Sequence, residues 1–265
     1  MRDVVRTGTD RGNPAVPHCA MIAPATTQAA GRDLSQRSAE TEWLDRADTS
    51  PEELALVIRD IASFNRAMLG HWPVIAWLRR ATKNATTETP LNLLDVGCGD
   101  GDLLRTIRRW TRKRGLTIRL IGIDRSREIV RIARAATDEA DEIDYRVTDI
   151  FDYVPTAPID FVVSSLLTHH MSDDLIVRFL RWMEATARKG WLTYDLQRHP
   201  VPFHFIGLMG KLTRLHPIAI DDGLISVTRS LTRAEWLARL DEANIARDAV
   251  QLRWFMFRFV IGRLR

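Results

Sequence analysis

Two neighbouring histidines, His169 and His170, close the apolar stretch "SSLLTHHM". A neutral imidazole can take a proton near pH 7 or bind a metal ion, so a catalytic base and half of a metal site are both open chemistries. The third alternative is structural, with one ring bonded to backbone at a strand end and the other in solvent. Because neighbouring residues point in different directions, we expect only one ring to face a site. We identify no third ligand near the pair, and therefore predict no metal.

Three glycines alternate with other residues in the stretch "LLDVGCGDGDL", where an apolar run gives way to a helical pattern. Gly97, Gly99 and Gly101 lack side chains, so backbone N–H groups and a helix N-terminus can approach a ligand closely. A dinucleotide-binding turn has the spacing G-x-G-x-x-G, whereas this chain places Asp102 or Leu104 at the third glycine position. The spacing therefore argues against a nicotinamide or flavin cofactor.

Carboxylates surround this glycine turn. Asp95, Asp100 and Asp102 lie within it, and we expect Asp102 to cap the helix that follows. Two further acids, Asp124 and Asp149, close the apolar runs "LIGID" and "YRVTDI". Each acid alone could be a strand-end turn residue. Together they end consecutive strands of a parallel sheet, where such sheets bind nucleotide-like ligands, and an acid at position 124 can accept both hydroxyls of a ribose.

An acidic residue two positions before the first glycine of G-x-G-x-G resembles the first motif of the class I S-adenosylmethionine-dependent methyltransferases. The resemblance covers residues 90–195 well and the remainder loosely. It implies that the cofactor is S-adenosyl-L-methionine, that Asp149 takes its adenine amino group and that the Ile150 N–H meets the ring. The cofactor's cationic amino group and sulfonium suit the carboxylates. The expected cofactor-binding residues are Asp95, Gly97, Cys98, Gly99, Gly101, Asp124, Arg125, Asp149, Ile150 and Ser165.

The stretch after the fourth predicted strand indicates the acceptor. It lacks the Asn-Pro-Pro-Tyr type of motif that, in the resembled superfamily, accompanies methylation of base nitrogens. It is similar instead to the small-molecule branch, including methyltransferases of polyketide and phenolic lipid pathways. That resemblance implies secondary metabolism and O-methylation of a phenolic, quinol or polyketide hydroxyl. Such a hydroxyl needs help to lose its proton at pH 7, so His169 or His170 is the expected catalytic base. An RNA-modifying methyltransferase is the alternative.

These residues require a fold that brings strand ends together. From residue 91, short apolar runs alternate with amphipathic helices, which predicts an α/β fold: a Rossmann-like, seven-stranded, mostly parallel sheet with helices on both faces. A small helical N-terminal segment precedes it. A final strand pair is expected in "DAVQLRWFMFRFVIGRL". The predicted strands are 91–97, 117–124, 143–150, 159–167 and 190–196, and the predicted helices between them are 102–113, 126–136 and 173–188.

Composition changes along the chain suggest three regions. Residues 1–40 are rich in Pro, Thr, Ser, Gly and Ala without apolar periodicity, which predicts a disordered or loosely ordered tail. Residues 41–85 are expected to form a helical cap, with Ser50 and Glu53 in capping-box spacing. Residues 86–265 are then the methyltransferase domain. Within it, the apolar insertion at about 197–226 is expected to be a lid.

Global composition narrows the class of protein. The chain has 265 residues, 45% of them hydrophobic, a formal net charge of +4 and two cysteines. No run reaches the ~18 apolar residues of a membrane span, and no signal peptide is evident, so we expect a cytoplasmic location. The basic excess lies along probable helix faces without interleaved aromatics, so a nucleic-acid partner is not expected. A small-molecule substrate is expected, and the oligomeric state stays open.

Overall fold

The computed structural model describes residues 32–45, 50–85 and 90–265. Residues 1–31, which include Cys19 and most of the predicted tail, lie outside the described residues. So does the boundary predicted at residue 86. Within the described ranges, no helix is both long and apolar enough to cross a membrane.

Seven strands form a single sheet with the order β3-β2-β1-β4-β5-β7-β6. The first five strands pair in parallel, whereas β7 runs antiparallel to both β5 and β6. The carboxyl ends of β1 to β5 therefore share one edge of the sheet. The strands are β1 (Leu91–Val96), β2 (Ile118–Asp124), β3 (Ile143–Val147), β4 (Phe161–Ser165), β5 (Gly190–Leu196), β6 (Gln251–Phe255) and β7 (Arg258–Leu264).

Eight helices surround the sheet in the described part of the chain. The helices α3 to α5 connect the parallel strands, and α1 and α2 precede the first of them. Two further helices, α6 and α7, follow β5. The helices are α1 (Pro51–Ala67), α2 (Trp72–Ala81), α3 (Asp102–Arg114), α4 (Arg127–Ala135), α5 (Asp173–Thr186), α6 (Pro200–Leu212), α7 (Pro217–Arg229) and α8 (Arg233–Glu242).

Consecutive residues of the central strands enter two different cores. On β1, Leu93 packs into one apolar cluster with Phe161 of β4, while Leu94 packs into the other with Val162. Alternate side chains of a strand point to opposite faces, so a strand that is covered on both faces must be apolar at nearly every position. This explains why the strands read as continuous apolar runs rather than as an alternation.

The predicted elements are present with small shifts at their ends. The predicted fold class is confirmed, and the predicted final strand pair forms the β6–β7 hairpin. The strand β3 ends at Val147, three residues before the prediction, because Asp149 leaves the ladder and accepts a hydrogen bond from the Phe151 N–H (2.8 Å). Ser50 caps α1 through the Glu53 N–H (3.2 Å). The last three residues of the predicted strand therefore belong to a turn.

The segment expected to be a lid forms the helices α6 and α7. His199 and His216 cap these helices, each with Nδ1 accepting a backbone N–H two residues further on. Both helices follow β5, so they lie at the carboxyl edge of the sheet. A small core that includes Phe203, Ile206 and Leu224 joins α6 to α7.

The central strands should dominate stability. We predict that Leu94→Ala, at a fully buried position, lowers the free energy of unfolding by about 2–5 kcal/mol because it leaves a cavity between sheet and helices. Urea unfolding followed by circular dichroism measures this loss. Leu56→Ala is the matched control, since Leu56 is 47% exposed on α1. An equal loss at both positions would contradict the two-core description.

Candidate active site

The glycine turn between β1 and α3 is held open by backbone conformation. Gly97, Gly99 and Gly101 all have positive φ (66°, 55° and 77°), which L side chains rarely adopt. A Cβ atom on Gly101 would lie 2.1 Å from the Tyr145 hydroxyl, whereas one on Gly99 would meet no protein atom within 4 Å. The turn is therefore packed tightly from below at Gly101 and has open space at Gly99, where a ligand can approach the backbone.

Asp95 supplies a buried carboxyl group beneath this turn. Its side chain is 1% exposed, and its Oδ1 has no hydrogen-bond partner among the described residues. Burial, with smaller contributions from the charges of Asp124 and Asp100, raises the pKa of Asp95 well above its ordinary value. A buried acid with an unpartnered oxygen is costly. A bound ligand that offers a cationic donor would offset this cost.

Asp124 ends β2 and shapes the same crevice. Its Oδ1 accepts from the Ser126 N–H (2.9 Å) and its Oδ2 accepts from the Gly99 N–H (3.3 Å). Burial raises the pKa of Asp124, against the opposing effect of those two N–H groups and of the positive charge of Arg125. The carboxylate thus links the end of β2 to the glycine turn of β1. It has remaining acceptor capacity for ligand hydroxyl groups.

The other expected cofactor residues lie along the same edge. Asp149 is exposed just beyond β3, and Ile150 beside it is buried. Ser165 ends β4, where its side chain hydrogen-bonds the Tyr194 hydroxyl. Because β3, β2, β1 and β4 are adjacent in the sheet, the structure brings the expected residues to one crevice. Arg125 is exposed at its rim.

Two residues of the glycine turn have structural roles. Gly101, rather than Asp102, occupies the cap position of α3, and Asp102 is the first helical residue. Our expectation that Asp102 caps the helix is therefore wrong. Its carboxylate instead forms an ion pair with Arg66 of α1 (2.9 Å), so it ties the N-terminal helix to the turn. Burial raises the pKa of the Cys98 thiol well above its ordinary value, which keeps the thiol protonated.

The histidine pair lies on a short 3-10 turn, Thr168–His170, next to this crevice. A Cβ atom on Gly97 would lie 2.8 Å from Leu167 Cδ1, so the residue before this turn contacts the glycine turn. The centroids of the two imidazole rings are 4.2 Å apart. His169 is 4% exposed, whereas the His170 side chain is 22% exposed. The pair therefore borders the crevice, with His170 towards solvent.

Asp195 of β5 holds the turn in place. Its carboxylate accepts from the Thr168 hydroxyl (2.6 Å) and the His169 N–H (2.9 Å), and it lies 2.7 Å from His169 Nδ1. Burial alone would raise the pKa of Asp195, but the His169 charge and these hydrogen bonds lower it to about 2. Since an ionised carboxylate only accepts, His169 Nδ1 must donate.

Glu42, from the segment before α1, faces both rings. Its side chain is 3% exposed, and its oxygens lie 3.6 Å from His169 Nε2 and 3.7 Å from His170 Nε2. Glu42, His169 and His170 each offer a ligand atom, and these atoms lie within 4.8 Å of one another. The expectation that no third ligand is near the pair is therefore wrong. The cause is a contact between residues more than 120 positions apart, together with the tight 3-10 turn.

Two arginines fasten the same turn from outside. Arg37 donates to the carbonyl oxygens of Thr168 and His169 (3.1 and 3.2 Å) and pairs with Asp173 (2.8 Å). Arg229, at the end of α7, also donates to the His169 carbonyl oxygen (3.1 Å). The backbone of the histidine turn is thus anchored by the N-terminal segment and by α7.

Sequence reasoning missed Asp195 and Glu42. Asp195 is an acid near the end of the apolar strand "GWLTYDL", so the strand-end criterion that selected Asp124 would also have selected it. Glu42 has no comparable signal, because it lies in a segment without apolar periodicity.

Residues 93–190 match the methyltransferase domain family. The chain is also similar to curated proteins. It is 32% identical over 110 residues to a trans-aconitate 2-methyltransferase from Mycolicibacterium gilvum, covering 40% of this chain and 38% of that protein. It is 27% identical over 170 residues to a ubiquinone biosynthesis O-methyltransferase from Methylobacterium sp., covering 55% and 65%. The chain spans about two fifths of the length of the trans-aconitate methyltransferases that it matches.

Solved structures share the fold. The plantazolicin methyltransferase BpumL in complex with S-adenosylhomocysteine (SAH) superposes with a TM-score of 0.58 at 16% identity, covering 82% of this chain and 91% of that one. Human N-acetylserotonin methyltransferase in complex with S-adenosylmethionine gives a TM-score of 0.54 at 16% identity, covering 82% and 56%.

Sheet order, glycine turn and strand-end acids together define a class I methyltransferase fold. Residues 93–190 match a methyltransferase domain, in agreement with the resemblance of the first motif, and solved structures of this fold hold S-adenosylmethionine or SAH. The crevice fits that cofactor: Gly99 has room for a ligand above the turn, and the orphaned oxygen of Asp95 suits a cationic amino group.

We expect Asp95 to lower the stability of the folded protein and to strengthen ligand binding. Because burial places its pKa in the folded state above that of the unfolded chain, the wild-type protein loses stability as the pH rises through that range. We predict that Asp95→Asn is more stable than wild type at pH 8, by about 1 kcal/mol, and binds SAH about tenfold more weakly.

Thermal unfolding at pH 6 and pH 8 and titration calorimetry with SAH measure the two effects. Asp144→Asn is the control, because Asp144 is a partly exposed acid of β3 paired with Arg146. A variant that is less stable at pH 8 and binds SAH with unchanged affinity would refute this role for Asp95.

Proposed function

We propose that this protein is an S-adenosylmethionine-dependent methyltransferase that methylates an oxygen of a small molecule. The observation that carries the proposal is the position of the His169–His170 turn, with its buried carboxylates, directly beside the acid-lined glycine turn. The similarity to a ubiquinone biosynthesis O-methyltransferase and to trans-aconitate 2-methyltransferases supports a small acceptor. A phenolic, quinol or polyketide hydroxyl is our specific proposal for the acceptor group.

Each strand end would hold one part of the cofactor. We assign the ribose hydroxyls to Asp124, the adenine amino group to Asp149 and the amino-acid moiety to the glycine turn with Asp95. When bound, S-adenosylmethionine supplies a methyl group whose bond to sulfur breaks as the bond to the acceptor oxygen forms, and sulfur keeps the electron pair. The protein mainly has to align the acceptor and exclude water.

Acceptor activation falls to the histidine pair. A phenol has a pKa near 10 and needs help to lose its proton at pH 7, which a neutral imidazole within hydrogen-bond reach can provide. His169 is buried and its Nδ1 is engaged by Asp195, whereas His170 is partly exposed. We therefore assign the contact with the acceptor hydroxyl to His170. His169 positions the ring of His170 and the Glu42 carboxylate.

We propose a small molecule rather than RNA because three of the five arginines of the basic helix α3 make contacts within the protein outside that helix. Arg105 pairs with Asp100 (3.1 Å), Arg108 donates to the Ile118 carbonyl oxygen (3.1 Å) and Arg112 pairs with Asp141 (2.6 Å). Guanidinium groups engaged in this way are less available to phosphates. Tight, salt-dependent binding of total RNA would favour the alternative.

Asp124→Ala should separate cofactor binding from folding. We predict at least tenfold weaker SAH binding by titration calorimetry, because the variant loses a charged acceptor for ribose hydroxyls. Asp138→Ala is a matched control: Asp138 also accepts a backbone N–H two residues further on, at a turn away from the crevice (2.9 Å). Lack of SAH binding by the wild-type chain would end the proposal.

The acceptor can be found with a labelled methyl donor. Incubation of the protein with methyl-labelled S-adenosylmethionine and panels of phenols, quinols and polycarboxylic acids should label a phenol or quinol. Labelling of carboxylic acids alone would move the acceptor to the chemistry of the trans-aconitate relatives.

His170→Ala should slow methyl transfer at least 100-fold while SAH affinity stays within a factor of two, since general-base catalysis contributes about 10²–10⁴-fold. His204→Ala on the exposed side of α6 is the control and should retain full activity. Unchanged turnover by His170→Ala would exclude His170 from acceptor activation.

A further inference from the structure

A histidine nitrogen and a carboxylate oxygen face each other beside the crevice. His169 Nδ1 lies 2.7 Å from Asp195 Oδ1, and His169 Nε2 lies 3.6 Å from Glu42 Oε1. The second distance is longer than an N–H···O hydrogen bond, which extends to about 3.2 Å.

His170 repeats the same arrangement. Its Nε2 lies 3.7 Å from the other Glu42 oxygen, again longer than a hydrogen bond. Two ligand atoms that each bind one tetrahedral Zn²⁺ at about 2.0–2.1 Å lie about 3.3 Å apart. Both separations are therefore close to those of ligands that share a metal ion, and the ligand atoms of Glu42, His169 and His170 form one compact group.

We propose that Glu42, His169 and His170 bind a divalent transition-metal ion, with Zn²⁺ as the preferred ion, at the edge of the acceptor site. This inference rests on the proposed function and specifies how the histidine pair acts on the acceptor. Two histidines and one glutamate make a ligand set that suits catalytic zinc with one position left open. Asp195 is the carboxylate that orients a metal-bound histidine through its other ring nitrogen.

Buried acids and guanidinium groups surround the three ligands. Glu42 and Asp195 are both buried. Arg229 lies 3.6 Å from Glu42 Oε1, and the Ser226 hydroxyl donates to that same oxygen (3.0 Å). The buried Arg258 acts electrostatically on Asp195. These contacts hold the Glu42 carboxylate and Asp195 beside the two imidazoles.

The open position would face the acceptor. His170 is the partly exposed ligand, so the fourth position lies towards solvent and the crevice. A hydroxyl that binds there loses its proton to water more readily, because the cation stabilises the resulting oxyanion. In the metal-loaded protein, His170 is then a ligand, and the cation rather than a free imidazole lowers the pKa of the acceptor hydroxyl.

Titration of the chelator-stripped full chain with Zn²⁺ alone tests the site. We expect one equivalent to bind in calorimetry, and Co²⁺ to give a visible absorption band from nitrogen and oxygen ligands. His170→Ala and Glu42→Gln should each weaken binding by at least 100-fold, and Asp195→Asn by about 10–100-fold. His204→Ala and Glu40→Gln, both exposed positions, should bind as wild type does.

Circular dichroism without metal checks that each variant folds. If Glu42→Gln does not fold, His170→Ala alone tests the site, because His170 is partly exposed and its substitution disturbs the core less. Absence of stoichiometric binding to wild type, or equal affinity in a folded His170→Ala, overturns the metal site.

Failure of the metal site and failure of the proposed function give different results. Methyl transfer by stripped protein that binds no Zn²⁺ removes the metal and leaves the methyltransferase proposal standing. Stoichiometric Zn²⁺ binding that depends on His170, in a chain that binds no SAH, supports the metal site and removes the methyltransferase proposal.

Discussion

Parallel pairing of neighbouring strands is the constraint on which this structure depends. The strands β3, β2, β1 and β4 lie side by side in one direction, so each begins at one edge of the sheet and ends at the other. Residues that are far apart in the chain, such as Asp95, Asp124 and Ser165, therefore meet without any direct bond between them. The ladder hydrogen bonds and the two apolar cores supply the stability, and the polar edge is built on that support.

Buried carboxylates at this edge fall into two kinds. Asp195 receives hydrogen bonds from Thr168 and His169, and its pKa is lowered to about 2 despite burial. Asp95 has an oxygen without a partner among the described residues, and its pKa is raised. The first kind fixes a turn, because its acceptors are satisfied by the protein. The second kind leaves an interaction to be made by a ligand, which is typical of a binding site.

The segment before α1 takes part in the site. Residues expected to belong to the tail and helical cap reach the histidine turn through Arg37 and Glu42. Asp222 of α7 accepts the backbone N–H groups of Trp43 and Leu44 (2.7 and 3.1 Å), which secures the segment around Glu42. The environment of His169 and His170 is thus shared by this segment, β5 and α7, so movement of any of them would change the environment of both imidazoles.

Local patterns in the sequence determined the sheet, its helices, the glycine turn and the strand-end acids. Each depends on spacing that can be read within ten or so residues: apolar runs for strands, G-x-G-x-G for the turn, an acid where a run ends. The role of Asp102, the partnership of His169 with Asp195 and the approach of Glu42 were decided only by tertiary structure. The physical reason is that burial and opposed charges depend on distance in space, and Glu42 is separated from the histidine turn by more than 120 residues of chain that only the completed fold brings together.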